Sequence, residues 1–348
     1  MKFSKISKFV AIGTAMAMLL AACAPAAAPA PAPEPGDQAE EAPAADPAPP
    51  AAAGGTEWLI MATGGSAGTY YPFGGAIATV VNNALGGAVS ITANTSGASV
   101  ANARALHFGD VELALMQNDI LYYAYTGTGI LEDDGGMPTL RTIATLYPEV
   151  IQLVATVSSG IQSVHDLAGM RVVVGDAGSG TEANALHVLE AHGLSAADMS
   201  VENLSFGEAS TAMQNGNIDA AFVTAGGPTP AITELSTVMD VVMVPIEGAY
   251  AQALLDAHPF YVVYEIPDTY YNMPGVNTVA VLATLVTTTD LSEDTVYAIT
   301  RAIFENQAEI AIGHARGNDI DPEAAVLGVS APFHPGALRF FQYLGILD

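Results

Sequence analysis

The sequence contains very few basic residues. Of its 348 residues only nine are lysine or arginine, against 36 aspartates and glutamates, and the formal net charge is −27. All three lysines lie within the first eight residues, so arginine and histidine are the only basic side chains beyond them. Nucleic acid and anionic lipid are bound through clustered basic residues, so this composition argues against both as partners. The excess of acids fits either a surface adapted to high salt or one that keeps the protein soluble.

Cysteine is almost absent as well. Cys23 is the only one, which leaves no intramolecular disulfide. It follows three lysines and an apolar run from Phe9 to Leu20, which is too short to span a bilayer and is typical of a signal-peptide core. The tetrapeptide LAAC ending at Cys23 resembles the bacterial lipobox, in which the cysteine is acylated. We therefore expect a lipoprotein signal peptide over 1–22 and lipidation of Cys23; an ordinary secretory signal with an incidental thiol is the alternative.

The next segment lacks the residues that build a core. Positions 23–55 consist mainly of alanine and proline with a few acids. Such a composition cannot bury enough apolar surface to fold, and it favours an extended, disordered linker. We expect the linker to hold a folded part outside the cytoplasm, anchored to the cell membrane by lipidated Cys23, in the periplasm or on the outer cell surface.

From Glu57 onward, short apolar runs alternate with helical patterns, which predicts a βαβαβ unit with a parallel sheet. Its strands are predicted at Trp58–Ala62, Val89–Ala93 and Glu112–Met116, and its helices at Pro72–Leu85 and Ala98–Phe108.

Later in the chain, two extended runs flank Pro148, at Arg141–Tyr147 and Val150–Ser158, before a second series of βα units. A strand is predicted at Val279–Thr287, and one long helix at Ser292–Gly313, capped by Ser292. We therefore expect an α/β protein with two lobes, residues 57–147 plus 283–348 and residues 148–282, joined by two crossing strands. A ligand cleft is expected between the lobes.

Two glycine-rich loops stand between a strand and a helix. The first runs through Gly64-Gly65-Ser66-Ala67-Gly68, and the second through Gly178-Ser179-Gly180. Backbone N–H groups at the start of a helix are unpaired, so such loops suit an anionic ligand. The first loop also matches the G-x-S-x-G nucleophile elbow, which leaves a secreted serine hydrolase using Ser66 as the alternative function. The second matches the G-x-G-x-x-A dinucleotide fingerprint, but a lone match of this kind is weak.

Metal-binding patterns are missing. The seven histidines form no HExxH motif, and the acidic run Glu132-Asp133-Asp134 lacks the spacing of a calcium-binding loop. We expect no metal site and no cofactor.

Several long segments together resemble one family. They include MATGGSAGTYYPFGGAIATVVN, VSITANTSGASVANARAL, GDAGSGTEANALHVLEAHGL and HPFYVVYEIP, and the likeness runs from Trp58 to the C-terminus. These segments are similar to the TAXI receptors, the TRAP-associated extracytoplasmic immunogenic solute-binding proteins. The resemblance implies a type II periplasmic-binding-protein fold and no enzyme activity. It also implies capture by hinge closure of a small carboxylate or amino acid, such as glutamate or glutamine, and delivery to TRAP membrane permease subunits.

The resemblance also implies a set of ligand-binding positions on both lobes. Neither Arg104 nor Arg171 stands in a glycine loop, so we expect neutral donors and helix N-termini to hold the ligand's carboxylate. The implied positions are Thr63, Gly64, Gly65, Thr69, Tyr70, Asn94, Thr95, Ser96, Gln117, Tyr147, Ser179, Gly180, Thr181, Glu182, Thr224, Ala225 and Gly226.

Overall fold

The computed structural model describes residues 55–348. The predicted signal peptide, Cys23 and the predicted linker up to residue 54 lie outside the described residues. Within the described part of the chain, no helix combines the length and the apolar character needed to cross a membrane.

The chain alternates strands and helices, as predicted. The first six elements are β1 (Glu57–Ala62), α1 (Tyr70–Ala84), β2 (Val89–Asn94), α2 (Ser99–Phe108), β3 (Leu113–Gln117) and α3 (Asn118–Thr126). Next come β4 (Leu140–Thr156), β5 (Arg171–Val173), α4 (Gly180–Ala191), β6 (Ser200–Glu202), α5 (Phe206–Gln214), β7 (Ala220–Ala225) and α6 (Pro230–Val238). The remaining elements are β8 (Val241–Val244), α7 (Gly248–Ala257), β9 (Val262–Ile266), β10 (Val276–Thr288), α8 (Glu293–Glu305), α9 (Gln307–Gly313) and α10 (Pro335–Tyr343).

The ten strands of the described residues belong to one continuous sheet. Its order is β2-β1-β3-β10-β4-β7-β5-β6, with β8 added to β4 and β9 added to β10. β1 runs parallel to both β2 and β3, which confirms the predicted βαβαβ unit. The long strands β4 and β10 are antiparallel to each other, and they connect the two parallel groups at the ends of the sheet.

The prediction of two separate extended runs around Pro148 was wrong, because the structure has one 17-residue strand there. Pro148 pairs with Leu282 of β10, and two residues later Val150 pairs with both Ala280 and Ala225. A proline interrupts a strand only where its missing N–H is needed for the ladder. Pro148 pairs with β10, and the pairing of β4 with β7 begins only at Val150. The strand therefore continues through the proline.

Hydrophobic side chains of the described residues form four clusters, two toward each end of β4. One cluster at the start of β4 includes Phe73, Ile77 and Phe341, and one at its end includes Phe222 and Leu153, all completely buried. Burying one such side chain contributes about 1.5–3 kcal/mol. We call the parts of the fold around the clusters at the start and at the end of β4 the first lobe and the second lobe; the predicted boundaries near residues 147 and 283 stay a prediction.

Two predicted elements need correction. The long helix over Ser292–Gly313 breaks at Asn306, whose φ of −117° and ψ of 28° are not helical and whose side chain bonds the Ala302 carbonyl oxygen at 2.8 Å. The predicted cap is present, since the Ser292 hydroxyl accepts the Thr295 N–H at 3.0 Å. Strand β9 was missed; it is a short strand beside β10, with Val263 mostly exposed.

The acidic run in the loop after α3 has a structural role. Residues 129–134 form a short 3-10 helix, and the Asp134 carboxylate receives two hydrogen bonds from the Arg104 guanidinium at 2.7 and 2.9 Å. Within the described residues, no group of three or more His, Cys, Asp or Glu side chains is arranged to hold a metal ion.

Candidate functional site

A cavity of about 200 Å³ lies between the two lobes. Its walls come from the loops after β1, β2, β5 and β6 with the helix starts that follow them, the ends of β3 and β7, and the middle of β4. Its size is below the ~300–1,000 Å³ of pockets for drug-sized ligands, so it suits a small solute. The lining residues are Gly64, Gly65, Ser66, Ala67, Gly68, Thr69, Tyr70, Ala98, Ser99, Gln117, Glu149, Asp176, Ser179, Gly180, Thr181, Ser205, Phe206, Gly207, Thr224 and Ala225.

The first glycine loop brings the start of α1 to the cavity. α1 packs closely on β1, since a β-carbon at Gly74 would approach the Thr63 side chain to 2.8 Å. The helix therefore begins directly beyond the end of β1, with Tyr70 as its first residue. In this first turn Pro72 has no N–H, and the Phe73 N–H donates to the Thr69 carbonyl oxygen at 3.1 Å, so the N–H groups of Tyr70 and Tyr71 are the ones without a carbonyl partner in the helix.

On the second lobe, α4 and α5 also begin at the cavity. Gly175 and Gly178 have φ values of +103° and +74°, a conformation that favours glycine, and they turn the chain from β5 into α4. The Ser179 hydroxyl accepts the Glu182 N–H at 3.1 Å, and the Ser205 hydroxyl caps α5 in the same way. On the first lobe α2 also begins at the cavity, since Ala98 and Ser99 line it. Four helix N-termini thus meet the cavity, each with partial positive charge.

The two lobes touch around the cavity, so the structure is closed. The Thr69 hydroxyl of the first lobe donates to the Gly226 carbonyl oxygen of the second at 2.8 Å. Gly180 lies directly against the side chain of Gln117, whose amide group would have to move to admit a β-carbon there. Farther out, the Asn184 amide donates to the Asp119 carboxylate at 2.8 Å. These contacts join loops and helices that are far apart in sequence.

Glu149 is the most unusual group in the cavity wall. It is 1% exposed, and its Oε1 has no hydrogen-bond partner within the described residues. Burial raises the pKa of its carboxyl to about 8, and the nearby Tyr70 and Gln117 side chains partly oppose that rise. Three more atoms of the lining residues are buried and have no hydrogen-bond partner within the described residues: Tyr70 Oη, Gln117 Oε1 and Thr224 Oγ1. Buried polar atoms are normally paired, so these atoms are available to a bound molecule.

The charge of the cavity is negative or neutral. Glu149 and Asp176 line it, and in the described part of the chain none of its lining residues is a lysine, arginine or histidine. Burial also raises the pKa of Asp176, and the charge of Glu208 adds to this rise. The arginines considered from the sequence lie elsewhere, Arg171 paired with Asp219 at 2.6 Å and Arg104 with Asp134.

Ten of the seventeen predicted positions line the cavity. They are Gly64, Gly65, Thr69, Tyr70, Gln117, Ser179, Gly180, Thr181, Thr224 and Ala225. Whether these residues bind a ligand stays a prediction.

The other seven predicted positions lie outside the lining. Two of them, Tyr147 and Gly226, pack closely against each other: a β-carbon at Gly226 would approach the Tyr147 ring to 2.9 Å. Thr63 uses its hydroxyl on the Asn94 carbonyl oxygen at 2.6 Å, and Glu182 accepts the Gly178 N–H at 2.7 Å. Asn94 is the exposed last residue of β2, and the exposed Thr95 and the half-buried Ser96 follow it.

Sequence reasoning missed several lining residues, Glu149 above all. The signal was present, because Glu149 is the only acid within the 17-residue strand β4. The start of α5 was missed because its capping serine, Ser205, resembles many ordinary helix caps. Ser66 lines the cavity, but no histidine among the described lining residues accompanies it as a general base.

Comparison with solved structures shows the fold. PhnD1 from Prochlorococcus marinus (MIT 9301), in complex with methylphosphonate, is 11% identical, with a TM-score of 0.50 over 76% of this chain and 90% of that one. The alkanesulfonate-binding protein SsuA from Xanthomonas axonopodis pv. citri, bound to MOPS, is 14% identical, with a TM-score of 0.47 over 84% and 85%. A protein from Bordetella bronchiseptica RB50 is 19% identical, with a TM-score of 0.49 over 84% and 89%. The predicted two-lobed type II periplasmic-binding-protein fold is thereby confirmed.

A family model extends over most of the described residues. The NMT1-like family matches residues 61–345, which include both glycine loops, β4 and β10, and every residue that lines the cavity. The chain therefore belongs to the NMT1-like family.

Proposed function

We propose that this protein is an extracytoplasmic solute receptor that captures a small carboxylate or amino acid between its lobes. The observation that carries the proposal is the closed cavity, in which four helix N-termini meet buried polar atoms that have no partner within the described residues. Helix N-termini suit a carboxylate, and the unpartnered atoms suit a polar ligand. The periplasmic-binding-protein fold and the NMT1-like family support a transport role and no enzyme activity.

We further propose that the receptor delivers its solute to the membrane permease of a TRAP transporter, as the resemblance to the TAXI receptors implies. In this proposal Cys23 anchors the protein to the membrane, and residues 57–147 plus 283–348 form one lobe and residues 148–282 the other. Ligand contacts to both lobes favour the closed form, because a ligand shifts an equilibrium only by its difference in affinity for the two states.

A thermal-shift screen with amino acids and dicarboxylates tests the proposed ligand class. A ligand at 100 times its Kd adds about 2.7 kcal/mol of stability, which raises the melting temperature by several degrees. Sodium chloride at matched ionic strength is the control, because screening alone stabilises an acidic surface. If no amino acid or small carboxylate raised the melting temperature above that control, the proposed ligand class would be wrong.

A further inference from the structure

Two buried oxygen atoms in the cavity wall lack a hydrogen-bond donor in the described part of the chain. Glu149 Oε1 and Gln117 Oε1 are both buried, both without a partner in the described residues, and both on side chains that line the cavity. A carboxylate oxygen or an amide oxygen needs a donor, and the hydroxyl groups of Tyr70 and Thr224 can act as either donor or acceptor. The cavity thus presents a cluster of acceptors in addition to the N–H groups of its helix starts.

The charges point to the same kind of ligand. A solute with only carboxylate groups would add negative charge to a cavity that already contains Glu149 and Asp176 and, in the described residues, no basic side chain. An ammonium group carries three donors and no acceptor, and it brings the positive charge that a buried carboxylate needs to remain ionised. A zwitterion satisfies both sides, with its carboxylate at the helix N-termini and its ammonium at the acceptors.

We propose that Glu149 binds the protonated amine of the solute, with Gln117 Oε1 as a second acceptor, and that the receptor therefore selects amino acids over acids lacking the amine. This inference rests on the proposed function and narrows its ligand class. Glu149 would be the residue that decides specificity, because it is the buried charged side chain in the cavity wall.

One competing arrangement uses the same residue. Burial raises the pKa of Glu149 to about 8, so in the empty cavity the carboxyl is mostly protonated at neutral pH and is able to donate to a ligand carboxylate. That arrangement leaves Gln117 Oε1 without a donor. It also predicts the opposite response to Glu149→Gln, because a glutamine amide still donates.

The titratable groups around Glu149 determine the pH range in which its protonation can be measured with little contribution from its neighbours. Tyr70 on α1 and Tyr147 on β4 have pKa values raised well above the usual value by burial, and they stay neutral below pH 9. Asp119 on α3 has a pKa raised by burial to about 6, and Asp176 lines the cavity with a raised pKa. Between pH 7 and 8.5, Glu149 is therefore the group among these whose protonation changes most.

Calorimetric titration with matched pairs tests the inference: L-glutamate with glutarate, L-aspartate with succinate, and L-alanine with propionate. We expect at least one amino acid to bind between about 10- and 100-fold more tightly than its partner, the range for a hydrogen bond to a charged group. Glu149→Gln should remove this preference, whereas Glu202→Gln, the same change at an exposed position of β6 outside the cavity lining, should keep it. Binding at pH 7 should release up to one proton, measured by repeating the titration in buffers of different ionisation enthalpy.

The outcomes distinguish a failure of the proposed role of Glu149 from a failure of the proposed ligand class. Equal affinity for both members of a pair, or unchanged amino-acid affinity in a folded Glu149→Gln variant, would overturn the role of Glu149 and leave the receptor function standing. Loss of the preference in the Glu202→Gln control would also overturn it. If no amino acid or small carboxylate bound the wild-type protein, the proposed ligand class would fall, and the inference with it.

Discussion

The burial of Glu149 has a measurable cost in the ligand-free protein. Its carboxyl has a pKa of about 8 in the folded state against 4.5 when solvated. A carboxyl with a raised pKa binds its proton more tightly when folded, so stability falls as pH rises from about 4.5 to about 8. The full cost is present above pH 8. Glu149→Gln keeps the shape of the protonated side chain and cannot ionise, so it removes this cost.

The shift of about 3.5 pKa units corresponds to about 5 kcal/mol at 1.36 kcal/mol per unit. This figure is an upper limit, because water entering the empty cavity solvates the carboxylate. We expect Glu149→Gln to exceed the wild type in free energy of unfolding by several kcal/mol at pH 8.5, and by less than about 1 kcal/mol at pH 4.5.

Urea unfolding of the ligand-free wild type and variant at pH 4.5, 7 and 8.5 measures this difference directly. Taking the difference between the two proteins at each pH cancels the titration of Asp119 and the histidines, which both proteins share. A difference that did not grow between pH 4.5 and 8.5 would refute the account of Glu149 as a buried carboxyl whose ionisation destabilises the ligand-free protein.

Two further substitutions test the closed arrangement of the lobes. Gly180→Ala places a methyl group against the Gln117 amide, so we expect at least a tenfold loss of ligand affinity by calorimetry; Gly75→Ala, where the methyl would meet open space, should bind normally. Equal affinity in the two variants would show that the lobes need not close this tightly. Asn184→Ala leaves Asp119 without its partner across the lobes, and urea unfolding should show a loss of about 1–3 kcal/mol with unchanged ligand selectivity. Unaltered stability would mean that this contact does not hold the lobes together.

Local patterns in the sequence were sufficient for much of the fold. The glycine loops and the apolar alternation between Glu57 and Gln117 predicted the first βαβαβ unit, because each element is determined by its own turn residues and periodicity. The break at Asn306 was not predictable in this way, since the helical pattern continues on both sides of it.

The polar content of the cavity was harder to predict. Glu149 lies in a strand whose pattern looks like a buried core, and it reaches the cavity only because β4 passes between the two lobes. The neighbours that define its chemistry, Tyr70 and Gln117, are each more than thirty residues away along the chain. Such a contact depends on tertiary structure, which periodicity and turn signals do not encode.

A crystal structure of the protein with the amino acid that binds most tightly would test the central claim most directly. Our account predicts that the solute fills the cavity between the lobes, with its ammonium nitrogen about 3 Å from a Glu149 oxygen and its carboxylate at the helix N-termini. A solute bound elsewhere, or one whose carboxylate faces Glu149, would contradict it.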